Sequence, residues 1–184
     1  MKTFKTREDL LISLGKGLSV AEIGVFKGDF SKFISEYLEP KELFLVDLFE
    51  GYVGSGDKDG NNMTYTWLEQ EMISLKSYFE NHKNTYIIKN TSRDFLNSIE
   101  DNKLDLIYID ADHDYKSVRE DLELSFNKVK IGGHICGHDY VAPRFEGVVR
   151  AVDEFCLEKK LTINYISEDG CPTYCIKKNK VWYV

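Results

Sequence analysis

The chain has 184 residues and a mass of 21.3 kDa, a size at which one hydrophobic core serves well, so a single domain spanning 1–184 is expected. Its 42% hydrophobic and 13% aromatic content, with 11 Tyr and 11 Phe, excludes intrinsic disorder. Lys and Arg number 24 against 31 Asp and Glu, a net charge of −7 that argues against broad phosphate-backbone binding and predicts no nucleic-acid partner.

The 4 Cys form no CxxC pair and read as reduced, half-buried thiols, with Cys171 and Cys175 placed along one strand. Residues 1–18 mix charges with short apolar pairs, unlike a secretion leader. No apolar run approaches the ~18 to 20 residues of a membrane span, so a soluble, cytoplasmic protein is expected with no membrane partner.

After one short helix, Arg7 to Leu14, the sequence alternates apolar runs with stretches of helical period, the pattern of parallel strands with crossover helices. Strands are expected over Ser19 to Ile23, Glu42 to Asp47, Thr85 to Lys89, Leu104 to Asp110 and Gly133 to Gly137. Helices are expected over Gly28 to Leu38, Thr64 to Asn81, Ser92 to Ile99, Tyr115 to Val129 and Phe145 to Lys159. LFLVD and LDLIYID are apolar nearly throughout and read as central strands. The helix from Phe145 carries Val148, Val149, Val152, Phe155 and Cys156 on one stripe, which should pack on the sheet. The tail, LTINYIS then EDGCPT then YCIKK, reads as an antiparallel hairpin. The expected fold is α/β: a Rossmann-like three-layer sandwich with a mostly parallel seven-stranded sheet closed by that hairpin. The glycine-rich stretch Glu50 to Asn62 reads as a mobile loop, a candidate lid over a ligand.

Chemistry-bearing residues cluster at strand ends. Glu22, Gly24 and Gly28 surround the first strand-to-helix turn, where a glycine admits close backbone approach and a helix start offers free N–H groups; both glycines also suit plain turn and packing roles. No register supplies the three glycines of a dinucleotide-binding GxGxxG. Asp47 ends the second strand, placed to accept from ribose hydroxyls or to cap a turn. Asn90 ends the third and could meet an adenine edge, while Thr91 reads as a helix cap. The fourth strand delivers Asp110, Asp112, His113 and Asp114 together. That many like charges are costly unless a cation or substrate neutralises some of them, although Asp114 also suits a helix cap. The fifth ends in His138 and Asp139, so Asp110, His138 and Asp139 could converge on one divalent cation. His134 reads as a core residue and His82 as surface.

EIGVFKG, then VDLF, then DLIYIDADHDY, then GGHICGHDY and GVVRAVDEF resemble the class I S-adenosylmethionine-dependent methyltransferases. Within them they are similar to the small-molecule O-methyltransferases of the macrocin and catechol types. The resemblance covers residues 19–178. It implies that Glu22, Gly24 and Gly28 surround the methionine part of S-adenosylmethionine, with Asp47 on its ribose and Asn90 and Asp110 also in the cofactor site. It further implies that Asp110 and Asp139 ligate a Mg²⁺ or Mn²⁺ ion and that His113 is the general base. The position matching His138 is usually acidic in those relatives, which leaves the cation's identity open. Those relatives also carry extra N-terminal elements over the acceptor; with a single short helix there, the acceptor site is either open or completed by a second subunit, a possible homo-oligomer that an apolar VWYV terminus would suit.

Methyl transfer to a hydroxyl of a small polar acceptor, such as a sugar or natural-product intermediate, is the leading expectation. Two alternatives stand beside it: a cofactor-binding protein without catalysis, and an iron-dependent hydroxylase built on His113, His138 and Asp110.

Overall fold

The computed structural model describes residues 1–50 and 65–180. The expected mobile loop, apart from Glu50, and the VWYV terminus lie outside the described residues. In chain order the elements are β1 (Lys2–Phe4), α1 (Arg7–Ile12), β2 (Ser19–Ile23), α2 (Asp29–Leu38), β3 (Glu42–Asp47), α3 (Tyr65–Tyr78) and β4 (Thr85–Lys89). There follow α4 (Ser92–Ser98), β5 (Leu104–Ile109), α5 (Tyr115–Lys128), β6 (Val129–Gly137), α6 (Glu146–Lys159), β7 (Ile163–Ser167) and β8 (Tyr174–Lys177).

Among the described residues the strands form one sheet of order β1-β7-β8-β6-β5-β2-β3-β4. β8 runs antiparallel to both β6 and β7, and the remaining neighbours pair in parallel. This is the Rossmann-like α/β arrangement expected, and β3 and β5 are interior strands as their apolar composition requires. The period of two along β5 serves both faces. Leu106 and Tyr108 pack with Leu10 of α1, Phe30 and Ile34 of α2 and Leu75 of α3. Ile107 and Ile109 pack with Phe95 of α4, Leu122 of α5 and Phe155 of α6. Sheet and two helical layers make three layers. On α6, Val148, Val152, Phe155 and Cys156 of the predicted stripe are buried and Ala151 joins them, whereas Val149 is only half-buried.

Several expectations are corrected. The sheet has eight strands, not seven, because the three residues of β1 pair with β7 in parallel. Nothing in the composition of KTF marks a strand; its place comes from the β7 edge and from Phe4 meeting Tyr165 edge-on at 5.8 Å. β6 starts at Val129, four residues before Gly133: Val129 pairs with Leu104, and a register irregularity separates that pair from Leu106 and His134. Cys171 lies in the connection before β8, not in a strand, and Cys136, Cys156 and Cys175 are fully rather than half buried. His82 is half-buried against Tyr78 rather than at the surface, and His134 is half-buried rather than in the core. No described helix is long and apolar enough to cross a membrane.

Candidate active site

From β2 the chain winds outward to β3 and β4 on one side, then returns to build β5 and β6 on the other, so the sheet changes direction between β2 and β5. Open α/β sheets bind ligands at such a point, beyond the carboxyl ends of the strands. A cleft of about 880 Å³ opens there, within the range of small-molecule sites. Glu22, Gly24, Gly28, Asp47, Asn90 and Asp110, the six residues expected around a cofactor, all line it, and His113 joins them.

Its floor is the β2–α2 turn, and the structure shows why two glycines stand in it. Gly24 has φ 88° and lies so close to β5 that a Cβ would sit 2.1 Å from the Asp110 carbonyl oxygen. Gly28, the left-handed cap of α2 at φ 78°, would thrust a Cβ to 2.2 Å from Leu75 Cδ1. Backbone contact therefore requires glycine at 24, and the left-handed φ favours it at 28. Asp47 holds the turn from the other side: Oδ2 accepts the N–H groups of Val25 and Phe26 at 2.8 and 2.9 Å, and Oδ1 accepts that of Phe49 at 2.7 Å. Of the two roles that the sequence offers for Asp47, ribose acceptor or turn cap, these bonds are those of the turn. Glu22 is 2% exposed and accepts from the Ser31 hydroxyl; burial pushes its carboxyl up to about 8. Asn90 accepts the Thr91 N–H at 2.8 Å, and Thr91 caps α4 through the Asp94 N–H at 3.0 Å, the capping role expected of it.

The β5 end carries the acidic group. Asp114 caps α5, accepting from the N–H groups of Lys116 and Ser117, so one of the three aspartates has a structural role. Asp112 accepts the N–H of His113 at 2.7 Å and fixes that residue's backbone. His113 Nε2 stands 2.7 Å from Asp139 Oδ2, and its ring stacks on Phe145 with centroids 4.7 Å apart. His138 Nδ1 lies 3.4 Å from Asp139 Oδ2 and 3.6 Å from Asp110 Oδ2, and Arg7 Nη1 reaches the same Asp110 oxygen at 3.5 Å.

These contacts set the protonation states. Burial alone would lower the His138 pKa, but the carboxylates of Asp110 and Asp139 outweigh it and hold it near 9. Burial likewise works against ionisation of Asp139, yet hydrogen bonds from His113 and His138 keep its carboxyl well below the usual range. The bond to Asp139 raises the His113 pKa. Thus a protonated His138 and Arg7 already balance the like charges that the sequence presents as costly. Among the described residues, Asp110, His113 and Asp139 offer ligand atoms all within 4.8 Å of one another, a mixed oxygen and nitrogen donor set of the type that suits Mn²⁺. His113 thus replaces His138 in the tightest grouping.

Sequence reasoning missed Arg7 and Asp121, both in the cleft wall. Arg7 belongs to a helix read as a leading element, and nothing local marks it. Asp121 had a signal: it sits on the buried stripe of α5 with Val118, Leu122 and Ser125. Its burial pushes its pKa up to about 6, against the pull of the Ser92 hydroxyl.

The fold and cleft define a Rossmann-like α/β protein whose glycine turn, Asp47 and β5 end face one cavity. Residues 21–140 match a family described as a methyltransferase domain, and the chain belongs to that family. It is accordingly a class I S-adenosylmethionine-dependent methyltransferase. Among solved structures it is similar to a provisionally named rRNA methylase of Clostridium thermocellum, at TM-score 0.67 and 13% identity, covering 95% of this chain and 94% of that one. It is equally similar to a provisionally named methyltransferase of Streptococcus mutans in complex with SAH, at TM-score 0.67 and 13% identity over 95% and 99% of the two chains. The N-methyltransferase NodS of Bradyrhizobium japonicum matches at 0.62 and 16% identity over 95% of each. At these identities the likeness is one of fold. No curated protein matches the chain in sequence.

Proposed function

We propose that the protein transfers the methyl group of S-adenosylmethionine to a hydroxyl of a small polar acceptor, with His113 as general base. The observation that carries this reading is the His113–Asp139 pair, 2.7 Å apart at the rim of the cleft that the glycine turn floors. In the reaction the acceptor oxygen attacks the sulfonium methyl carbon, the carbon–sulfur bond breaks, and the hydroxyl proton passes to His113 Nδ1, because Nε2 is bonded to Asp139. Asp139 orients the ring and balances the imidazolium that forms. Glu22, Gly24 and Gly28 would surround the methionine part of the cofactor, Asn90 the adenine, and Asp47 would use its remaining lone pair on the ribose while its other lone pairs hold the turn. The acidic lining of Asp110, Asp112 and Glu120 favours an uncharged or cationic acceptor over a phosphate backbone, which supports a small molecule rather than RNA.

A divalent cation such as Mg²⁺ or Mn²⁺ would be held by the carboxylates of Asp110 and Asp139, which lie together at the ends of β5 and β6. Such an ion, when bound, would lower the acceptor's pKa and fix its position. The test is turnover and S-adenosylhomocysteine binding in His113→Ala, with and without chelator. Loss of turnover by roughly 10²- to 10⁴-fold with binding retained is expected. Turnover unchanged in the variant would overturn the assignment of the base. Turnover lost to chelation and restored by Mn²⁺ would assign the cation a part in the reaction, and turnover that survives chelation leaves proton transfer to His113 and Asp139.

A further inference from the structure

Arg7 opens α1, and its place is fixed at three points. Its own N–H donates to Asp169 Oδ2 at 2.9 Å, tying the helix start to the connection between β7 and β8. Its guanidinium lies over the ring of Phe30, the second residue of α2, at 4.0 Å. That puts the charge beside the glycine turn, on the cleft wall opposite Asp47. Its ion pairs are long: 3.4 Å to Glu8 and 3.5 Å to Asp110, against roughly 2.7–2.9 Å for a well-made charge-assisted bond. The guanidinium also interacts with the buried Tyr108 hydroxyl, and with five N–H donors it is held in place with capacity to spare. The other arginine lining the cleft, Arg93, is already forked onto Glu120 at 2.6 and 2.7 Å.

We infer that Arg7 binds the α-carboxylate of the cofactor's methionine part and so selects the carboxylated cofactor over its decarboxylated form; this rests on the cofactor reading above. A guanidinium and a carboxylate, Arg7 and Asp110, stand 3.5 Å apart beside Gly24. An α-amino acid presents the complementary pair, a carboxylate and an ammonium on one carbon. Stacking on Phe30 keeps the guanidinium plane fixed, so little conformational freedom is lost when the carboxylate arrives. A decarboxylated cofactor would leave Arg7 without its partner in a partly desolvated site.

The test is calorimetric titration of the wild type, Arg7→Ala and Arg7→Lys with two ligands: S-adenosylhomocysteine and its decarboxylated analogue, S-adenosyl-3-thiopropylamine. The wild type should prefer the carboxylated ligand by about 10- to 100-fold. Arg7→Ala should abolish the preference by weakening that ligand alone, with unchanged affinity for the analogue showing the cleft intact, and Arg7→Lys should retain part of it. Equal weakening of both ligands in Arg7→Ala would assign a merely structural role and overturn the inference. So would a wild type that binds both alike. A wild type that binds neither would overturn the cofactor reading itself, and this inference with it.

Discussion

Glu22 illustrates how a single buried group couples the site to stability. Its carboxyl is 2% exposed at the cleft floor and titrates near 8, against an ordinary value of 4.5. Between those pH values the folded state keeps a proton that the unfolded state gives up. The contribution of Glu22 to stability is therefore fully present below about 4.5 and is lost as pH rises through about 8. Glu22→Gln keeps the shape and an oxygen for Ser31 but cannot ionise. Denaturant melts at pH 5 and pH 9 should show the wild type losing more stability over that interval than Glu22→Gln. Parallel losses in the two proteins would contradict the burial argument. Asp47 makes the complementary point, because three backbone N–H groups converge on its carboxylate and none of them is visible in the residue's identity.

At the scale of elements, β2, β3 and β4 occupy the spans their apolar runs predict, and each helix ends within a few residues of its expected limit. The lining of the cleft was equally legible, since parallel strands place their carboxyl ends at one edge and Gly24, Asp47, Asn90 and Asp110 all stand at strand ends. What was not legible depended on contacts far apart in sequence. β1 forms on the edge of β7, Lys2 pairing with Tyr165, and Arg7 reaches Asp110 across a sequence separation of 103. The grouping of His113, rather than His138, with Asp110 and Asp139 likewise follows from how the β6 end folds back at Asp139, whose φ is 60°. The start of α5 is where local chemistry decides: Asp114 accepts from two backbone N–H groups, so Asp114→Ala should cost about 1 kcal/mol in denaturant unfolding. A cost near zero would show that the loop from Asp110 supports the helix without its cap.

At the scale of the molecule, the sheet order brings two distant groups to one cleft. The ends of β2, β3 and β4 bring Gly24, Asp47 and Asn90 to it, and the end of β5 brings Asp110 and His113, the latter bonded to Asp139 at the end of β6. α1, laid against α2 and the β7 edge, closes the cleft with Arg7, so an element preceding the βα core shapes the site as well. All of this depends on the cleft at the β2–β5 divide being the cofactor site. The measurement that tests it most directly is calorimetric titration of the wild type and of Asp47→Ala with S-adenosylhomocysteine. Micromolar binding by the wild type that is lost in the variant is the predicted result, because Asp47 both anchors the glycine turn and faces the ribose position. Wild-type protein that shows no binding, with or without Mg²⁺ or Mn²⁺, would contradict the account.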